Sequence, residues 1–187
     1  MKSKRKNTIY NRKSDLDQFY TAPEIAKMCY DKIWEKGFTK SNFDIFLEPS
    51  AGTGVFLKLM PKSKRIGLDL APKDPEIKVM DFFDWKPPEN SSVITIGNPP
   101  FGKMSSLAIK FFNHAAEFSE IIAFIVPLTF RKASVQDKLN LGFSCVRNMV
   151  LPKDAFLLDG TPYDVPCCFQ IWQKSSGKRR KSGRNFN

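Results

Sequence analysis

Between residues 44 and 172 the chain repeats one pattern. A short apolar run stops at a Gly, Pro, Asp or Asn break and is followed by a turn or a helical stretch. The runs fall at 44–48, 65–69, 76–80, 92–97, 120–126, 143–151 and 165–172, and each reads as a strand. Helical periodicity marks 23–36, with Thr21 as its expected cap, then 54–60 and 105–118. The last carries Leu107, Ile109, Phe111, Phe112 and Ala115 on one face. The run 120–126 is almost wholly apolar, as a strand covered on both faces must be. Alternation of this kind specifies a doubly wound α/β sheet of seven strands with helices on both faces. No helix separates the last two runs, so the sheet should end in a hairpin with its last strand antiparallel. Ligands of such sheets bind at the carboxyl ends of the strands, near the point where strand order reverses.

The 187 residues amount to one domain, and 42% apolar content is enough for a core. No run approaches the ~20 apolar residues of a membrane span. The basic start, Met1 to Lys6, is not followed by the apolar segment of a secretory signal, so an intracellular protein of cytoplasm, nucleoid or nucleus is expected. Cys29, Cys145, Cys167 and Cys168 lack zinc or disulfide spacing and read as reduced thiols. The single histidine, His114, reads as a partly buried polar residue on a helix, and no metal site is expected. The net charge of +11 is unevenly placed. Residues 1–14 and 174–187 carry six cations each and no acid, which leaves 18 basic and 19 acidic residues in 15–173. The chain thus reads as one domain at 15–173 between two basic disordered tails, which can hold a phosphate backbone without reading sequence.

The breaks after the first three strands carry chemistry. The first strand runs into Glu48-Pro49-Ser50-Ala51-Gly52-Thr53-Gly54. Two glycines at such a turn let a ligand approach the backbone. Leu57 stands where a dinucleotide site would want a third glycine, and the Gly-Lys-Ser/Thr of a phosphate loop is missing. Asp69 ends the second strand, 15 residues after Gly54, where a carboxylate can accept both hydroxyls of a ribose. Asp81 and Phe82 follow the third strand and suit an adenine amine and the face of a purine. Three such strand ends in order point to a cofactor that contains adenosine.

The most specific feature is Gly97-Asn98-Pro99-Pro100-Phe101-Gly102 after the fourth strand. Two prolines fix φ and remove two donors, which leaves a rigid turn rich in free carbonyls. The side-chain oxygen of Asn98 and the carbonyl of Pro99 can each accept one N–H of a planar amine. That draws the nitrogen toward tetrahedral geometry and frees its lone pair, while Phe101 stacks on the ring.

Asp17-Gln18-Phe19-Tyr20-Thr21, Leu47 to Gly54 and Asn98-Pro99-Pro100-Phe101, in that order, resemble the amino-group (adenine-N6) methyltransferases in their gamma-type arrangement. These are class I enzymes that use S-adenosylmethionine, and the resemblance spans roughly residues 17–172. It implies a Rossmann-like methyltransferase sheet. It further implies a cofactor pocket lined by Tyr20, Thr21, Glu48, Ala51, Gly52, Gly54, Asp69, Leu70, Asp81 and Phe82, and a target amine held by Asn98, Pro99, Pro100 and Phe101. Phe156 best matches the family's second aromatic, which sandwiches a flipped base; Tyr163 lies in the same loop. Nothing of a separate recognition domain follows Trp172, so target reading would fall to a protein partner, the tails or an RNA fold. The expected substrate is adenine in nucleic acid, with DNA somewhat ahead of RNA. The alternatives are a protein glutamine amide, whose enzymes usually carry Tyr where Phe101 stands, and a catalytically silent nucleic-acid-binding subunit.

Overall fold

The computed structural model describes residues 20–181. The basic stretch 1–14, and Asp17, Gln18 and Phe19 of the first motif, lie outside the described residues.

In chain order the strands are β1 (Tyr20–Thr21), β2 (Ile45–Glu48), β3 (Arg65–Asp69), β4 (Lys78–Val79), β5 (Val93–Gly97), β6 (Ser119–Pro127), β7 (Phe143–Val150), β8 (Phe156–Leu158), β9 (Thr161–Tyr163) and β10 (Cys167–Lys174). Seven of them form one sheet in the order β4-β3-β2-β5-β6-β10-β7. Every residue of β2 and β5 is buried, as expected of central parallel strands. β10 runs antiparallel to both β6 and β7. The final strand is therefore antiparallel as expected, but it is inserted between its two predecessors in the sheet. The chain leaves β2 on one side, through β3 and β4, and returns on the other at β5. The order reverses there, and the crevice lies at the carboxyl ends of β2 and β5.

The two longer helices cover opposite faces. On α1 (Pro23–Trp34), Trp34 packs on Phe46 of β2 at 6.1 Å between ring centroids. On α2 (Ser106–Ala115), Phe112 packs edge-on against Trp172 of β10 at 5.2 Å. Register ties Phe46 to Ile94 and Ile121 on one face, and Leu47 to Thr95, Ile122 and Trp172 on the other. The one polar pair buried between β5 and β6 is satisfied internally, with Thr95 and Ser119 hydroxyls 2.7 Å apart.

Several local expectations change. Residues 54–60 form turns and a short 3-10 helix, Leu57–Leu59, not an α-helix. Positive φ at Gly52 and Gly54 breaks the path, and the segment is held to the sheet at Leu57 by Glu48. Thr21 does not cap α1. It lies in β1, while Ala22 occupies the cap position without a side-chain bond and Pro23 opens the helix. The third strand shrinks to two residues. A second sheet, β1-β8-β9, was not foreseen; its hairpin turns at Asp159 and Gly160, both with positive φ. Residues 174–181, read as the start of a tail, continue from β10 and lie against 141–143: Ser175 N–H donates to Gly142 O at 2.8 Å and Arg179 N–H to Leu141 O at 2.7 Å.

Phe112 is 1% exposed and touches both Phe143 and Trp172. Phe112→Ala should cost about 3–5 kcal/mol of stability. Urea denaturation measures it, and a loss under 1 kcal/mol would show that α2 is not fastened through this ring.

Candidate functional site

A cavity of about 400 Å³ opens at the carboxyl ends of β2, β3 and β5, within the size range of small-ligand sites. Its walls include Tyr20, Thr21, Glu48, Ala51, Gly52, Asp69, Leu70, Asp81, Phe82 and the whole turn Asn98 to Phe101. The strand-end residues singled out from sequence are thus gathered around one space. Two are not in its walls. Gly54, at φ +72°, turns the backbone behind it, where an added Cβ would meet Ile77. Phe156 is fully buried on β8, paired with Thr21 on one side and Tyr163 on the other, while Tyr163 is 44% exposed.

Carboxylates hold the glycine turn open. Glu48 is 2% exposed, and its Oε2 accepts the N–H of Leu57 at 2.7 Å. Burial pushes its carboxyl well above the ordinary range, against the pull of the Leu57 and Phe56 amides. Asp69 reaches across from β3. One oxygen accepts Gly52 N–H and the other Ala71 N–H, each at 2.8 Å. Each oxygen keeps a further lone pair on a half-exposed side chain. Gly52 sits at φ +51°, and a Cβ there would lie 3.0 Å from the Tyr20 ring. That position therefore demands glycine twice over, by conformation and by space.

The far wall is aromatic. Asp81 caps a short 3-10 helix, Phe82–Asp84, by accepting Phe83 N–H. Phe82 is 2% exposed and wedged against Phe111 and His114. Phe83, its neighbour, reaches the cavity with 37% exposure. Phe83, Met80, Leu107 and Phe111 were missed in the sequence. Phe83 could have been found beside Asp81-Phe82, but the helical residues reach the site only through the packing of α2.

The Asn98 turn is fixed at both ends. Ser50 Oγ, 48 residues away in sequence, donates to Asn98 O at 3.1 Å. Beyond it, Phe101 O accepts Leu107 N–H and Ala108 N–H, both at 3.2 Å. Gly102, Met104 and Ser105 all take positive φ, and Ser105 is held by Thr129 through a 2.7 Å hydroxyl contact. Strain of this kind persists only where the surroundings enforce it. Asn98 Oδ1 is buried with no hydrogen-bond partner. An acceptor left unpaired in a cavity wall costs about 1–3 kcal/mol, which a ligand N–H would recover.

Against solved structures, the chain resembles a candidate RNA methyltransferase from Pyrococcus horikoshii at TM-score 0.65 and 18% identity, over 86% of this chain and 88% of that one. It also resembles the 23S rRNA methyltransferase ErmE, at 0.57 and 14%, over 88% and 72%. A third relative is the magnesium protoporphyrin IX methyltransferase of Synechocystis, solved with bound S-adenosylmethionine, at 0.58 and 10%, over 82% and 79%. The fold is that of a Rossmann-like methyltransferase. No protein-family profile and no curated protein matches the sequence.

All four cysteines are free. Burial pushes the thiol of Cys145 up to about 11 and that of Cys168 up to about 12, and holds Cys29 and Cys167 high as well. They are therefore neutral and poor nucleophiles near pH 7. Among the described residues no cluster of His, Cys, Asp or Glu could hold a metal ion, and no helix is long and apolar enough to cross a membrane.

The raised carboxyl of Glu48 has a testable sign. Above about pH 4.5, its ordinary value, the folded state keeps a proton that the unfolded chain releases, so this group's contribution falls as pH rises. Glu48→Gln keeps an acceptor for Leu57 and removes that fall. Urea denaturation from acid to neutral pH should show the variant gaining on the natural protein as pH rises; a constant difference would place the Glu48 carboxyl at its ordinary value.

Proposed function

We propose that the protein transfers a methyl group from S-adenosylmethionine to the exocyclic N6 amine of adenine in nucleic acid. The observation that carries this reading is the orphaned Asn98 Oδ1, a buried acceptor in the turn that lines the cavity, beside the two prolines.

The residues present fit the cofactor. Gly52 gives it backbone access, and Asp69 offers two free lone pairs at the end of β3, where a ribose diol would lie. Asp81, exposed at the rim, offers an acceptor to an adenine amine, with Phe82, Phe83 and Leu70 beside the ring. Bound there, the cofactor supplies an electrophilic methyl on sulfonium. Asn98 Oδ1 and the Pro99 carbonyl take the two N–H groups of the target amine. They keep its lone pair out of the ring and aimed at the methyl carbon. The N–C bond forms as the S–C bond breaks, and the surplus proton leaves to water. Phe101 lies against the base and holds it in place. Phe156, fully buried, would act by supporting the β8–β9 hairpin beside the pocket.

The names of two structural relatives specify RNA, while the motif wording favours DNA, so both are offered as substrates. Labelled cofactor with parallel DNA and RNA pools, followed by nucleoside mass spectrometry, should yield N6-methyladenosine or its deoxy form. Methylation of any other nucleoside, or of none, overturns the proposal.

Asn98→Ala removes the acceptor. Turnover should fall at least 10²–10³-fold, as when a transition-state hydrogen bond is deleted, while cofactor affinity by calorimetry stays within threefold. Turnover above a tenth of the natural rate would remove Asn98 from the reaction.

A further inference from the structure

The catalytic domain cannot hold nucleic acid by its overall charge. Residues 15–173 carry 18 cations against 19 acids, and the twelve remaining cations sit in the two end segments. Affinity for a phosphate backbone rests on counterions released by clustered Lys and Arg, so the position of the end segments matters. The structure fixes one of them in part.

After β10 the chain turns back and is pinned by Arg179. Its amide donates to Leu141 O at 2.7 Å, its Nε to Phe143 O at 3.1 Å and its Nη2 to Gln136 O at 2.8 Å. The guanidinium also lies over the Trp172 ring at 5.4 Å. Arg179 is thereby committed to the fold. Its neighbours are left exposed, and Lys178 and Lys181 join Lys138, Asn113 and Asn140 around an open groove of about 390 Å³. Asp137 is the one carboxylate in its wall. Glu120, the one acid on β6, is paired with Lys174 at 2.9 Å. The asparagines are set by their own bonds: Asn113 donates to Lys138 O and accepts Asn140 N–H.

We propose that this groove is a second binding site for the phosphate backbone of the nucleic-acid substrate, remote from the reacting base. The inference rests on the nucleic-acid reading above and adds where, and how far away, the substrate is gripped. The groove lies where β6 and β7 begin; the Asn98 turn lies near the carboxyl end of β6, since Gly97 pairs with Phe124. The five residue rises of β6 from Ser119 to Phe124 therefore separate the two along the strand, on the order of 17 Å. At ~3.4 Å per base step, a substrate must extend roughly five steps from the target adenine to reach both. A nucleic acid shorter than that can meet the active site but not the groove.

The test compares the natural protein with the double variant Lys178→Glu, Lys181→Glu, using fluorescein-labelled DNA and RNA of about 30 and about 5 nucleotides. Both residues are exposed and neither touches the cavity. On the longer strands, anisotropy should show at least tenfold weaker binding by the variant near 0.1 M salt. The slope of log affinity against log salt should become shallower by about 1.4–1.8, two phosphate contacts' worth. Methylation of the shortest strands at saturation should not change. An unchanged affinity and slope on the long strands overturns the groove while leaving the methyltransferase reading standing, and would favour an acidic protein surface as its occupant. A natural protein that binds neither length overturns both proposals.

Discussion

The carboxyl group of Glu48 is the fixture on which the site depends. It ends β2, one of the two wholly buried inner strands of the sheet, and it receives the amide of Leu57 from the far side of the glycine turn. Placing a carboxyl in an apolar interior is costly unless its oxygens are engaged. The hydrogen bond offsets part of that cost and forces residues 49–56 to arch away from the sheet. Asp69 then fastens the crest of the arch to β3 through Gly52. The arch leaves a space beneath and beside it, and that space is the cavity. Residues 54–60 do not coil into a regular helix: Gly54 opens the segment at φ +72°, and the amide of Leu57 goes to a side chain from the sheet.

The second half of the site is held by backbone chemistry. Pro99 and Pro100 have no amide N–H, so two residues of the Asn98 turn offer no donor to fix it. It is instead held from outside, by Ser50 at its start and by the first amides of α2 at its end. The positive φ values at Gly102, Met104 and Ser105 record how sharply the chain must bend to bring α2 back under the sheet. What results is a rigid wall in which one acceptor, Asn98 Oδ1, stays unpaired. A fold rarely leaves such an atom in place without a use. The pinned segment around Arg179 shows the complementary case, a cation whose donors are spent on backbone carbonyls so that its neighbours are presented to solvent.

The sequence was sufficient for the parts that obey local rules. Strand positions followed from apolar runs bounded by turn residues, and the strand-end residues Glu48, Asp69, Asp81 and Asn98 followed because chemistry in such sheets sits where strands end. They do face one cavity. The antiparallel final strand was legible from the missing helix before it. By contrast, the insertion of β10 between β6 and β7 depends on a register formed across 18 to 52 residues of chain, which no local pattern encodes. The small β1-β8-β9 sheet has two- and three-residue strands, too short to show a period.

What the sequence by itself determined, then, is the kind of sheet, the identity of the residues at its strand ends and the uneven distribution of charge. Periodicity, turn chemistry and composition are properties of neighbours along the chain. Tertiary structure alone decided which of those residues share a space, that Phe83 and Phe111 line it while Phe156 is withdrawn into the core, and that the basic stretch after β10 is in part fastened down. Each of these turns on contacts between segments far apart in sequence. Such contacts are settled by how side-chain volumes pack and how buried polar groups find partners, and neither can be read one segment at a time.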